Sequence, residues 1–269
     1  MANSPFLKLP FSIGGAGLGI IASTDQKTMF PPSPETDAVG HWDLGTNALS
    51  LTDQISGRVL VPNAAAPTFD ALGMKIPDGG PNGLISDIAD RASGYTYAIV
   101  FQPQASLDVS GQSTFLLGST QSAGGDAKGG GLYTNGSGAT PPVPTIIDLA
   151  RPASGGTSSN TSRTLLSTVR ATNAWVFVLA SFDAAGNRFL YIPGHVTATS
   201  TGNTKAASDT RKLALGNVYY LDPAYYYGQK YSEFIVWDRG LTQAEAAAVF
   251  QRTIQRMKYR KGITLFGAS

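Results

Sequence analysis

Residues 175–194 read WVFVLASFDAAGNRFLYIPG, and they constrain the fold more than any other stretch. Trp175 to Phe182 is an apolar run interrupted only by Ser181 and rich in aromatic and β-branched residues. That is the pattern of a central strand covered on both faces. Asp183-Ala184-Ala185-Gly186-Asn187 supplies the small and polar residues of a hairpin turn, and Arg188 to Ile192 resumes a strand pattern. A hairpin here commits the chain to antiparallel pairing.

Further strand-like runs recur from Val39 onward. They include Tyr95–Phe101 before Pro103, Thr114–Leu117 before Gly118, Lys212–Leu215, and Tyr231–Trp237. Short strands separated by turn clusters are the signature of a mainly β, two-sheet sandwich. Residues 119–142 and 152–162 are dominated by Gly, Ser, Thr, Ala and Asn and read as long loops. Helical periodicity is convincing only over residues 242–259. Thr242 and Glu245 there form a capping box, and Ala246, Val249, Phe250, Thr253 and Met257 fall on one face. Gly262 supplies the stop. Strands do not alternate with helices, which argues against a parallel α/β fold.

Residues 1–36 have a different character. Phe6, Leu7, Leu9, Phe11 and Ile13 precede a glycine-rich run and then Pro31, Pro32 and Pro34. We read this segment as an extended N-terminal arm and linker, and residues 37–269 as the sandwich with its closing helix. An apolar arm needs a covering surface, either another subunit or its own sandwich.

Composition removes several function classes. The net charge of +2 gives no strong field for nucleic acid or an anionic membrane. Arg252, Arg256, Lys258, Arg260 and Lys261 form a basic run, but they sit at the end of the predicted helix, where cations suit the dipole. With 0 cysteines there are no disulfides, zinc-thiolate sites or thiol nucleophiles. No apolar run approaches the ~20 residues needed for membrane insertion. The first residues lack a basic start and contain Pro5 and Pro10, so they do not read as a signal peptide.

Tyr231 to Gly262, YSEFIVWDRGLTQAEAAAVFQRTIQRMKYRKG, resembles the end of a concanavalin A-like (laminin G-like) domain. In that family a last strand often leads through D-R-x-L-[TS]-x-x-E into a closing helix. Residues 175–194 resemble the family's Trp-led hairpin, which returns as R-x-x-Y-x-x-G. Asp53–Gly57 and Leu213–Gly216 are weaker matches, and the resemblance covers residues 39–262. It implies an antiparallel jelly-roll sandwich. The fold hosts lectins, glycosidases, adhesion modules and viral proteins, so function must be argued from residues.

Hydrolytic relatives carry alternating acids on one strand, as E-x-D-x-x-E. This chain has no such strand, and the odd separation of Glu233 and Asp238 puts them on opposite strand faces. The chain is therefore not expected to be an enzyme. His41 and His195 lie in no catalytic or metal motif, and Gly17-x-Gly19-x-x-Ala22 lacks the strand and helix that a dinucleotide site needs. No cofactor or metal is expected. Calcium, common in the fold, would have Asp183, Asn187 and Asp126 to draw on, but the first two read more simply as the turn. The candidate binding residues are Tyr219, Tyr220, Tyr225, Tyr226, Tyr227, Asp222 and Gln229, with Tyr231 nearby. Such a set serves a sugar site, a protein interface, or packing under loops.

The chain also resembles laminin G-like proteins encoded in phage structural modules. That likeness implies a non-catalytic virion structural or adhesion protein: a tail fibre, tail-tip or decoration component made in the host cytoplasm. It would dock on other virion proteins through its arm, form a homo-oligomer of the trimeric kind, and contact host-surface glycan. The alternatives are a stand-alone lectin and a polysaccharide-cleaving glycosidase.

Overall fold

The computed structural model describes residues 34–103, 113–121, 128–135, 145–152, 159–164, 174–202 and 204–268. The expected arm contacts Phe6, Leu7, Leu9, Phe11 and Ile13, and Asp126, lie outside the described residues. The strands are β1 (Gly40–Asp43), β2 (Val61–Asn63), β3 (Thr68–Asp70), β4 (Gly73–Lys75), β5 (Gly83–Ala89), β6 (Tyr95–Gln102), β7 (Ser113–Gly118) and β8 (Gly129–Asn135). They continue as β9 (Thr145–Arg151), β10 (Ser159–Thr164), β11 (Val176–Phe182), β12 (Arg188–Tyr191), β13 (Ala198–Ser200), β14 (Lys212–Gly216) and β15 (Lys230–Trp237), followed by helix α1 (Gln243–Lys261).

Two antiparallel sheets form a sandwich. The 8-stranded sheet runs β13-β12-β11-β6-β15-β4-β3, with β1 also on β15, and the 7-stranded sheet runs β10-β9-β8-β7-β14-β5-β2. Along one edge of β15, β4 pairs with Lys230 and Tyr231, and β1 pairs with Glu233 to Val236.

The sandwich has a third layer, because α1 covers the outer face of the larger sheet. Strand alternation shows this directly. In β11, Val176, Val178, Ala180 and Phe182 join the core between the sheets, while Phe177 and Leu179 join the core under the helix. In β6, Tyr95, Tyr97, Ile99 and Phe101 face the other sheet, and Ala98 and Val100 face the helix. Ala246, Val249, Phe250 and Met257 of α1 complete that second core.

The D-R-x-L-T-x-x-E segment works as a corner. Thr242 Oγ1 accepts from Glu245 N at 3.2 Å, and Glu245 Oε2 accepts from Thr242 N at 2.7 Å. Arg239 donates to Glu245 and to Asp37, and Leu241 N donates to Ser181 Oγ of β11 at 2.9 Å. Gly262 then ends the helix in the left-handed conformation, at φ 65°.

Two loop expectations are corrected. The segment 119–142 contains β8, and 152–162 overlaps β10. The glycines of β8 concealed it, because glycine is a poor strand former. Here it is needed for close approach: a Cβ on Gly131 would overlap the Leu117 carbonyl of the neighbouring strand. The helix also runs to Lys261, beyond the expected 259.

The basic run does more than suit the helix dipole. Arg256 is buried and bridges two buried carboxylates, donating to Glu35 Oε1 at 2.7 Å and to Glu233 Oε1 at 2.6 Å. His41 Nδ1 accepts from Glu35 N, so its Nε2 carries the proton donated to Glu233. Arg252 adds a two-pronged contact to Glu35. Glu35, on the arm side of the expected boundary at residue 36, is thereby locked to the helix.

Candidate functional site

The face of the 7-stranded sheet opposite the sandwich core carries an aromatic group. The side chains of Phe115 on β7 and Tyr133 on β8 point outward, because their neighbours Leu116, Leu117 and Leu132 fill the core. Strand register places Phe115 directly opposite Tyr133, with ring centres 5.3 Å apart. The connection after β14 then returns over this face. Asn217 holds it, its Nδ2 donating to the carbonyls of Tyr220 and Tyr225 at 2.9 and 3.0 Å. Tyr220 and Tyr225 are set 4.6 Å apart, and both touch Phe115.

Arg151, at the end of β9, lies 5.9 Å from the Tyr220 ring centre. Its Nε is buried and has no hydrogen-bond partner among the described residues. The face therefore combines partly exposed phenol rings with a guanidinium at its edge. Burial pushes the Tyr225 hydroxyl up to about 12, helped by the neighbouring Tyr220, Tyr133 and Asp222. The Tyr133 hydroxyl is also raised, first by burial. Both stay protonated and can donate.

Only part of the expected tyrosine set assembles here. Tyr220 and Tyr225 do so, while Asp222 caps the short turn Pro223–Tyr225, accepting from Ala224 N at 3.0 Å. Gln229 is 1 % exposed and donates to the Gly228 carbonyl, so it is a core residue and not a ligand contact. Tyr226 forms a β-bridge with Thr114, and Tyr231 is wholly buried, donating to the Leu116 carbonyl. Tyr219 is half-buried near Arg211 and Lys212, and Tyr227 joins none of the aromatic pairs described. Phe115, Tyr133 and Arg151 were missed. Reading residues 113–135 as a hairpin would have paired the first two.

The glycosidase nominee is also accounted for. Glu233 is 1 % exposed beneath α1, with His41 and Arg256 on its oxygens, so no glycan reaches it. Asp238 pairs instead with Arg91 at 3.7 Å. Asp183 Oδ1 accepts from Ala185 N and Asn187 N, and its Oδ2 from Asn187 Nδ2, which is the turn role. Among the described residues no cluster of acids or histidines could hold a metal ion.

No curated protein matches the chain in sequence. Among solved structures it is similar to the botulinum neurotoxin serotype D binding domain, at 13% identity and a TM-score of 0.60, over 82% of this chain and 52% of that one. A second similar structure is that toxin's ligand binding domain in complex with N-acetylneuraminic acid, with a TM-score of 0.60, 13% identity and the same coverage of 82% and 52%. A third is the binding domain of botulinum neurotoxin DC in complex with rat synaptotagmin II, with a TM-score of 0.54, 10% identity and coverage of 81% and 52%. The chain spans about half the length of these structures, and at such identities the likeness is one of fold. A family model described as the concanavalin A-like lectin/glucanases superfamily, laminin G type, matches residues 84–247. That is more than half of the sequence, and the matched span runs from β5 into α1, so the chain belongs to the concanavalin A-like lectin/glucanase superfamily.

Proposed function

We propose that this protein is a non-catalytic, glycan-binding adhesion module that grips sugar on the outer face of its 7-stranded sheet. The observation that carries this reading is the group Phe115, Tyr133, Tyr220 and Tyr225 beside the Arg151 guanidinium. Aromatic rings stack on sugar C–H faces, and a guanidinium donates to hydroxyl or carboxylate oxygens. Family membership and neighbours named as binding domains, one solved with N-acetylneuraminic acid, agree with it. Within this reading the module belongs to a virion adhesion protein of the tail-fibre, tail-tip or decoration kind. It docks through residues 1–36, as a homo-oligomer, on other virion proteins. The supports are the weakly charged, cysteine-free composition and the apolar arm sequence.

A glycan array followed by calorimetric titration tests it. Tyr220→Ala and Tyr225→Ala should each weaken binding about tenfold, ~1.4 kcal/mol, without loss of fold. Removing residues 1–30 should spare glycan binding and abolish incorporation into particles. A silent array with an intact fold rejects the lectin reading. Normal incorporation of the truncated chain rejects the docking arm.

A further inference from the structure

Lys205, between β13 and β14, reaches back to Asp90, the residue after β5, with its Nζ 2.5 Å from Oδ1. The two side chains are only 3 % and 4 % exposed, so the pair is sealed from bulk water. Both ends are held. Ala206 N donates to the Arg151 carbonyl at 3.0 Å, and the Ala206 carbonyl accepts from Gly129 N at 2.9 Å, which pins the backbone beside Lys205 to β8 and β9. The lysine stem lies on Gly130, where a Cβ would crowd it, and its Nζ is 4.6 Å from the Tyr95 ring centre. Nζ also donates to the Arg91 carbonyl, and Asp90 Oδ2 accepts from Ser208 N at 2.7 Å.

This pair differs from the other buried ones. Arg188 holds Asp148 and Arg256 holds Glu233, each through a guanidinium that keeps its charge. Asp43 is shared by Lys261 and Arg260. Asp90 faces a primary amine and a backbone N–H and, among the described residues, no arginine. A lysine can give up its proton. Burial lowers the Lys205 ammonium from its ordinary range, although the Asp90 charge opposes this. Two charges kept out of water carry a desolvation cost, and that cost ends when both charges disappear.

We propose that Lys205 and Asp90 condense to an amide, a covalent staple between the end of β5 and the connection from β13 to β14. A proton first passes from Nζ to the carboxylate, leaving an amine beside a carboxylic acid. The Nζ lone pair then forms the bond to Cγ, and the Cγ–Oδ1 bond breaks. Oδ1 leaves as water, carrying the acid proton and one amine proton. No oxidant, reductant or further reactant enters. Both residues line a cavity of about 320 Å³ between the sheets, which receives the water. The Ser208 N–H already sits on Oδ2, where it stabilises the charge that oxygen gains during attack and then bonds the amide carbonyl. The Arg91 carbonyl accepts the N–H that remains. Both polar atoms of the product therefore have partners already in place. Holding the reacting groups in contact can be worth an effective concentration on the order of 10⁵ M. The bond joins residues 115 apart in a chain with 0 cysteines, and so does the work of the disulfide the chain cannot form.

Mass spectrometry of the full chain, purified and then incubated at neutral pH, tests this. The intact mass under denaturing conditions should fall short of the sequence mass by one water. Tryptic digestion should leave Lys205 uncleaved, inside a branched peptide joined at Asp90. The branch separates this bond from cyclisation of an aspartate onto its own backbone, which also loses water but leaves Lys205 open to trypsin. Lys205→Arg and Asp90→Ala should each keep the full mass. The proposal is overturned if the native chain keeps its full mass after incubation, if the missing water maps to any other residue, or if either variant loses the same water. Should the variants fail to fold, the intact mass and peptide map of the native chain decide alone.

Discussion

Two sets of buried ionic groups among the described residues are finished differently. Beneath α1, Glu35, His41, Glu233 and Arg256 form a set in which both carboxylates and both imidazole nitrogens have partners. Between the sheets, Arg188 joins Asp148 from the opposite sheet at 2.5 Å, Tyr97 adds a hydrogen bond, and Lys205 holds Asp90. That second set ends at an open cavity of about 320 Å³. A saturated network sealed under a helix acts as a clamp. The difference separates ions closed off by α1 from ions that line an opening in the sandwich.

The clamp is where substitution should do most harm. Arg256→Met removes the cation shared by two buried carboxylates and leaves Glu233 with His41 alone. Breaking a buried pair from one side costs about 3–5 kcal/mol. Urea unfolding should show that loss, and a midpoint near the native value would mean that Glu35 and Glu233 re-pair or hydrate. Because Glu35 lies at the junction with residues 1–33, the variant should also loosen residues 34–38. Faster amide exchange of Ala38 would report that loosening.

Acid should act on the same clamp. Burial alone would raise the Glu233 carboxyl, but the Arg256 charge and the hydrogen bonds from His41 and Arg256 hold it far below the ordinary carboxylate range. A depressed folded value means that the unfolded chain takes up the proton first. The stabilisation is then complete above about pH 5 and is lost as pH falls below about 4.3 toward the folded value. Asp37, paired with Arg239, and Asp53, held by its own loop, are depressed too and add to this slope. Glu233→Gln should lower stability at neutral pH and flatten part of the acid limb. An unchanged limb would assign acid sensitivity to the other depressed carboxylates, Asp37, Asp53 and Asp70 among them.

The sequence makes the scaffold legible but not the site. Trp175–Phe182 and Tyr231–Trp237 carry the apolar pattern of buried strands, and Thr242 and Glu245 mark the helix start by local chemistry. The glycine strand β8 was hidden because its residues answer to a neighbour's backbone and not to their own propensity. The tyrosine set was partly legible. Nearness in sequence brought Tyr220 and Tyr225 together, but Phe115, Tyr133 and Arg151 arrive from other strands. The buried ions between the sheets gave no signal at all, because Asp148 and Arg188 meet only across the sandwich.

The finest contrast lies within β6. Tyr95 and Tyr97 point the same way, and their rings stack at 5.4 Å. Both are buried, at 7 % and 3 % exposure. Tyr97 donates to the Asp148 carboxylate, whereas Tyr95 has only the Tyr97 hydroxyl as a hydrogen-bonding neighbour. Tyr97→Phe strips one hydrogen bond from a buried carboxylate and should cost about 1–3 kcal/mol. Tyr95→Phe removes a hydroxyl that meets only the neighbouring Tyr97 hydroxyl and leaves the Asp148 bond intact, so it should cost less, about 0.5 kcal/mol. Paired urea titrations of the two variants measure the gap. Equal losses would mean that the Asp148 bond adds nothing beyond an ordinary buried hydroxyl. A gap of the expected sign assigns the difference to the carboxylate that Tyr97 serves.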